Sequence, residues 1–382
     1  MTTRGLVLTG GGARGAYQVG VLRGIAELLG GSLDSTPFRV LAGVSAGAIN
    51  ASFLATQASD FAAATEGLWQ LWARLHMDGV FDTSPAALSR NGARLVAELG
   101  LGGLVRTRRV NHLLDTKPLR RLLEQEVRAD VIAEKVRRGV LHGVAVTATN
   151  YDTGAAVTFF QGPAEAAGWC RSARMAVRGD ITPEHVLASA ALPVFFPPVT
   201  VAGHAYGDGC IRMTAPLSPA IHLGADRILA IGIRYPRPAE TTLRLQEQAA
   251  PPGPTSLADI AGVLLNAVFL DALETDLERM ERINRTVALI PEARRSEHTL
   301  RHVPVLAIRP SQDLGRLAST RFDAFPMPVR HLLRGLGASQ ETGWDLLSYL
   351  AFDSAYTEAL LELGRRDAHA HEAALRRFFE VP

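Results

Sequence analysis

The chain opens on a short apolar block at residues 5–9 (GLVLT), closed by three glycines. From 16 to 29 apolar positions return as Val19, Leu22, Ile25 and Leu28, a spacing that keeps them on one face of a helix. The pattern predicts strand, glycine loop, helix. Residues 38–42 (FRVLA) predict the next strand, and after Gly43-Val44-Ser45-Ala46-Gly47 a helix of small residues runs through Ile49, Phe53 and Leu54. Together these make a βαβα unit, which implies a parallel sheet covered by helices. A polar, helix-rich stretch from about 75 to 127 follows, with glycine-marked breaks and the basic residues Arg106, Arg108 and Arg109. It reads equally as a lid or as helical padding. Runs of β-branched and apolar residues predict further strands at 143–149, 156–160, 227–233 and 303–308. Residues 247–255 (EQAAPPGPT) have the proline and glycine content of a linker, and 256–285 predict one long helix, apolar at first and charged later.

Composition narrows this picture. Of 382 residues, 47% are hydrophobic and 20% charged, the balance of a folded chain with core to spare. The net charge of +2, from 40 basic and 38 acidic residues, provides no global field for nucleic acid or an anionic membrane, so any membrane contact must be local. Cys170 and Cys210 are too few for a disulfide framework and lack zinc-site spacing, which makes them free thiols of a reducing compartment. The N-terminal apolar run is shorter than the roughly 7 to 15 residues of a signal peptide, which predicts a cytoplasmic location. The most apolar stretch, 261–270, falls short of the roughly 20 residues that cross a bilayer and is expected to be a buried helix.

Three short segments carry candidate chemistry. Gly10, Gly11, Gly12, Ala13, Arg14 and Gly15 fit G-x-G-x-x-G between a strand and a helix, where backbone amides can face an anion. A dinucleotide site would need an acidic residue at the end of the second strand, and none is there; a Walker loop would need Lys-Ser or Lys-Thr after the glycines. An oxyanion hole makes the same demand on the backbone. Arg14 could anchor that loop, help hold anionic charge, or simply be solvated. Ser45, between Gly43 and Gly47, sits where a strand meets a helix, the setting of an exposed nucleophile. A serine hydroxyl needs a base. None of the histidines, His204, His222, His298 and His302 included, stands in a catalytic setting. Asp208, between Gly207 and Gly209, is a candidate base, although taken alone it reads more readily as an ordinary Asp-Gly hairpin turn.

Together GGGARG at 10–15, GVSAG at 43–47 and DGC at 208–210 resemble, in order, the motifs of patatin-like phospholipases, and ASAALP followed by FFPP (188–198) resembles the stretch before that family's aspartate. The likeness covers about 5–235 and extends more loosely through LLNAVFLDALETDLERMERINR and DLLSYLAFDSAYTEALLELG. Cys210 stands where the family usually has Gly or Ala, and Thr9 where it often has a polar residue such as Asp. The resemblance implies a three-layer α/β/α sandwich around a mostly parallel sheet. It places a phospholipase domain at 5–235 and a helix-rich region at 236–382 packed on the same core, with a strand near 303–308. It implies Ser45 as nucleophile, Asp208 as the other half of a Ser-Asp dyad without histidine, the 10–15 loop as oxyanion hole, and Gly43, Gly47 and Gly209 as motif support. Neither metal nor other cofactor is implied. The substrate is then a phospholipid or other acyl lipid, met in peripheral contact with a membrane, with no nucleotide or nucleic acid involved. Transfer of the acyl group to an alcohol, or a catalytically silent lipid-binding module, would use the same fold.

Overall fold

A computed structural model of the chain describes residues 2–30, 35–90, 92–93, 112–237, 240, 243, 256–291, 294, 300–319, 321–335, 337–339 and 343–380. The expected linker at 247–255 and the cluster Arg106, Arg108 and Arg109 lie outside these residues.

Alternating apolar residues on the strands force two buried faces, and the structure is a three-layer α/β fold around a mixed, mostly parallel sheet. Its strands are β1 (Arg4–Leu8), β2 (Val40–Val44), β3 (Gly143–Asn150), β4 (Ala156–Gln161), β5 (Cys170–Arg171), β6 (Arg174–Arg178), β7 (Val199–Val201), β8 (His204–Asp208), β9 (Arg227–Ile231) and β10 (Val305–Ile308). The order is β10-β9-β1-β2-β3-β4-β6-β5, parallel from β10 through β3, with β7 and β8 as a hairpin beside β3. Leu6, Leu8, Leu41, Val144, Val146, Leu229 and Ile231 face one core; Val7, Val40, Ala42, Ala145, Ile228 and Ala230 face the other. This two-residue alternation between helix-covered faces is why the strands read as continuous apolar runs.

The helices Gly15–Leu28, Ala46–Thr56, Trp344–Leu350 and Ser354–Ala370 bury residues in the first core, and Ser218–His222 and Asp271–Ala288 in the second. Helices Gly15–Leu28 and Ser354–Ala370 meet backbone to backbone: a Cβ at Gly20 would lie 1.9 Å from the Leu361 carbonyl oxygen. The Tyr17 hydroxyl beside this crossing donates to Asp367 at 2.9 Å. The last helix, Glu372–Phe379, is latched under the sheet by Arg4 and Arg227, which donate to the carbonyls of Phe379 and Phe378 and pair with Glu380.

Two expectations are corrected. The single helix over 256–285 is two, Leu257–Phe269 and Asp271–Ala288, broken at Leu270. Phe269 and Leu270 pack in the first core with Tyr349, whereas Leu273 and Met280 pack in the second, and one straight helix cannot serve both faces of a sheet. The apolar stretch at 261–270 is also not buried throughout, since Val263 and Leu264 are 66% and 62% exposed. Among the described residues no helix is long and apolar enough to cross a membrane.

Candidate active site

Sheet register creates the site. Strand β2 runs along β3 until Val44 pairs with Thr147, and β8 runs the other way along the same edge until Asp208 pairs with Ala148. The two strands therefore end head to head at neighbouring β3 residues, and the residue after Val44 meets Asp208. Ser45 Oγ donates to Asp208 Oδ2 at 2.7 Å, although 163 residues separate them.

Ser45 has φ 55° and ψ −126°, a conformation that costs a non-glycine residue about 1–3 kcal/mol and turns its side chain out of the strand. The flanking glycines make the turn sterically feasible. A Cβ on Gly43 would lie 2.3 Å from the Gly47 carbonyl oxygen, and one on Gly47 would lie 2.2 Å from that of Leu8. A buried hydroxyl pins the turn as well: Ser189 Oγ accepts from the Ser45 amide at 2.9 Å and donates to the Thr147 carbonyl at 2.6 Å. Ser189 sits at the end of helix Pro183–Ser189, inside the 188–198 segment singled out above, yet its partner was not readable from sequence.

Asp208 is fully buried and held on every side. Oδ1 accepts from the Cys210 amide at 2.9 Å, its own amide donates to the Ala191 carbonyl, and its carbonyl accepts from Thr149 Oγ1. Burial disfavours the carboxylate more than its hydrogen bonds to Ser45 and Cys210 favour it, and its pKa rises to about 6. Gly209 is required by close approach, since a Cβ there would lie 2.0 Å from the Thr147 carbonyl oxygen. Burial pushes the neighbouring Cys210 thiol well above its ordinary pKa, so it stands beside the carboxylate as a neutral thiol.

The glycine loop packs against this pair. A Cβ on Gly10 would lie 2.6 Å from that of Ser45, and the Gly10 amide faces the Cys210 sulfur. The amides of Arg14 and Gly15 donate to Gly11, Gly12 and Ala13 carbonyls within the first helical turn. No described residue accepts from the amides of Gly11 or Gly12, and Gly12 borders the cavity over Ser45. Beneath the loop a buried amide chain fixes its ends. Gln18 donates to the Thr9 and Ile231 carbonyls, Asn50 to Gly15 and Gln18, and Trp72 Nε1 to Asn50 at 2.8 Å. Arg14 is not solvated; its guanidinium is buried among residues of the C-terminal helices.

An apolar cavity of about 40 Å³ opens over Ser45 and Asp208, walled mainly by Leu71, Trp72, Leu75, Leu122, Phe196 and Tyr349. Phe352 stacks on Trp72 across it at 6.4 Å. These walls come from four distant parts of the chain, which is why sequence reading missed Tyr349 and Phe352 as site residues. The one available signal was the 345–364 segment among those singled out above. No hydrogen bond of Ser45 or Asp208 to a described residue involves histidine. His204 pairs with Asp152 at the surface and His222 stacks on Trp169, while His298 lies outside the described residues.

A family model described as patatin-like phospholipase matches residues 6–221. No curated protein matches the chain in sequence. Among solved structures it is matched by human GIVD cytosolic phospholipase A2 in complex with methyl γ-linolenyl fluorophosphonate, at 14% identity and TM-score 0.44, over 100% of this chain and 60% of that one. VipD from Legionella pneumophila matches at 13% identity and TM-score 0.33, over 95% of this chain and 67% of that one. ExoU from Pseudomonas aeruginosa, in its heterodimeric complex with SpcU, matches at 16% and 0.30, over 91% and 68%.

Proposed function

The chain belongs to the patatin-like phospholipase family, and from that premise we propose that it hydrolyses carboxylic esters of phospholipids or related acyl lipids through an acyl-Ser45 intermediate, with Asp208 as the base. The observation that carries this reading is the 2.7 Å hydrogen bond from Ser45 Oγ to a fully buried carboxylate at the mouth of an apolar cavity.

In the proposed cycle Asp208 takes the Ser45 proton as Oγ attacks the acyl carbon. The carbonyl oxygen becomes negative and is met by the amides of Gly11 and Gly12, whose dipoles are fixed before reaction and need no rearrangement. Collapse breaks the bond to the alcohol oxygen, which leaves with the proton held by Asp208. Water then attacks the acyl-serine, gives its proton to Asp208, and the fatty acid departs as the proton returns to Ser45. A carboxylate of ordinary pKa ~3.9 would be a weak base here; desolvation of Asp208 brings it nearer neutrality, where general bases work best. The apolar walls suit an acyl chain, and peripheral contact with a lipid surface follows from that substrate. The cavity holds little more than a water molecule or two in its present state, so a chain enters only as Leu71 and Leu75 part from Leu122.

Reaction with an alkyl fluorophosphonate followed by intact-mass and peptide analysis tests the assignment. The expected result is one adduct per chain, on Ser45, lost in Ser45→Ala and slowed at least about tenfold in Asp208→Asn. Labelling at another residue, or none, contradicts it.

A further inference from the structure

The family match ends at residue 221, yet the glycine loop is gripped by residues more than a hundred positions beyond it. Arg14 is the loop's only charged residue, with its side chain 3% exposed. Its Nε donates to Ser348 Oγ at 2.8 Å, one terminal nitrogen to Asp345 Oδ1 at 2.8 Å, and the other reaches Asn266 Oδ1 at 3.4 Å. The guanidinium carbon lies over the Tyr349 ring, 4.4 Å from its centre. Tyr349 in turn donates to the same Asn266 oxygen at 2.9 Å, and Ser348 donates to the Asp345 carbonyl. On the adjoining side Gly12, with φ 57°, lies so close to Tyr349 that a Cβ would come within 2.2 Å of that residue's carbonyl oxygen. The loop and the helix Trp344–Leu350 thus touch at two points two residues apart.

A cation this buried is held at a cost unless its donors are satisfied, and a planar fork fixes direction as well as distance. Lysine could not reproduce three divergent contacts and a stacking face. The Arg14 amide also closes onto the Gly11 carbonyl at 3.2 Å, so displacing the guanidinium displaces the turn that carries Gly11 and Gly12.

We propose that Arg14 is a positioning residue for hydrolysis, through which the helix Trp344–Leu350, lying outside the family-matched segment, sets the Gly11 and Gly12 amides against the developing oxyanion. This rests on the hydrolase reading above and adds to it that the C-terminal helices are part of the catalytic apparatus. Misplacement of such donors by about 1 Å costs on the order of 10²-fold in rate, and the cost falls on the transition state rather than on ground-state binding.

The experiment compares Arg14→Met, Asp345→Asn and the double variant on a soluble p-nitrophenyl ester, with active sites counted by fluorophosphonate titration so that unfolded protein drops out. The expected result is a kcat per titrated site lowered about 10²-fold in Arg14→Met and about fivefold in Asp345→Asn, with KM within about twofold of wild type. The double variant should be no slower than Arg14→Met alone, because both act through one contact. Asp345 is 41% exposed, so its variant carries the test should Arg14→Met fail to fold. Wild-type kcat per site in the single variants, losses appearing only in KM, or additive losses in the double variant overturn the proposal while leaving the hydrolase reading standing. A wild type that releases no nitrophenol overturns both.

Discussion

Asp208, as the proposed base, is one buried group that would set both rate and stability. Its pKa of about 6 against an ordinary 3.8 means that the folded chain holds its proton more tightly than the unfolded chain does. Below about pH 4 both states are protonated and the group costs nothing. As pH rises from about 4 to 6 the unfolded chain ionises first, and stability falls by about 3 kcal/mol, then stays level. Asp208→Asn should therefore raise the free energy of unfolding at pH 8 by up to about 3 kcal/mol while abolishing most activity, with the gain absent near pH 4; urea titrations at the two pH values measure it. For the same reason kcat/KM of the wild type should fall about tenfold per pH unit below an apparent pKa near 6. A profile flat from pH 4 to 8 would exclude Asp208 as the base. Ser189 makes a second residue-scale claim. Ser189→Ala leaves the buried Ser45 amide without its acceptor, which should cost about 1–3 kcal/mol of stability and lower kcat more than it changes KM.

At the scale of elements, the parts of the site readable from sequence were those built locally. The glycine loop and the Gly43–Gly47 turn each lie within one strand-turn-helix unit, and their apolar spacing announces it. The pairing of Ser45 with Asp208 was not written in spacing: Asp208 alone read as an Asp-Gly hairpin turn, whereas the β7–β8 hairpin turns at Ala202 and Gly203 and Asp208 ends β8 at its far end, and only resemblance joined the two. Strand β6 escaped notice because RMAVR puts Arg174 and Arg178 on the same face as its one buried residue, Ala176, and exposes the apolar Met175 and Val177, the reverse of an apolar-in alternation. The break at Leu270 escaped because the change of sheet face that causes it is a tertiary fact, while helical periodicity continues across it. The same kind of long-range packing supplies the cavity walls. Widening the wall with Leu122→Ala should raise kcat/KM for long-chain over short-chain nitrophenyl esters, since less displacement of side chains is needed to admit the chain. Equal effects on both lengths would remove Leu122 from the acyl path.

At the scale of the molecule, the region after residue 235 completes the sheet with β10, covers helix Gly15–Leu28 with Ser354–Ala370, and latches its last helix to β1 and β9 through Arg4 and Arg227. A chain ended at residue 235 would expose the Gly15–Leu28 face and leave Arg14 buried without partners. We predict that it fails to fold, and that the whole chain melts in one cooperative transition rather than two; calorimetry of the whole chain and proteolysis of the truncated one decide this. The central claim is that Ser45 and Asp208 together cleave a lipid ester, and the most direct measurement is fatty-acid release from phosphatidylcholine vesicles by wild type, Ser45→Ala and Asp208→Asn. The account predicts release by the wild type and loss of nearly all of it in both variants. Release that persists in Asp208→Asn, or a folded wild type that releases none, would contradict it.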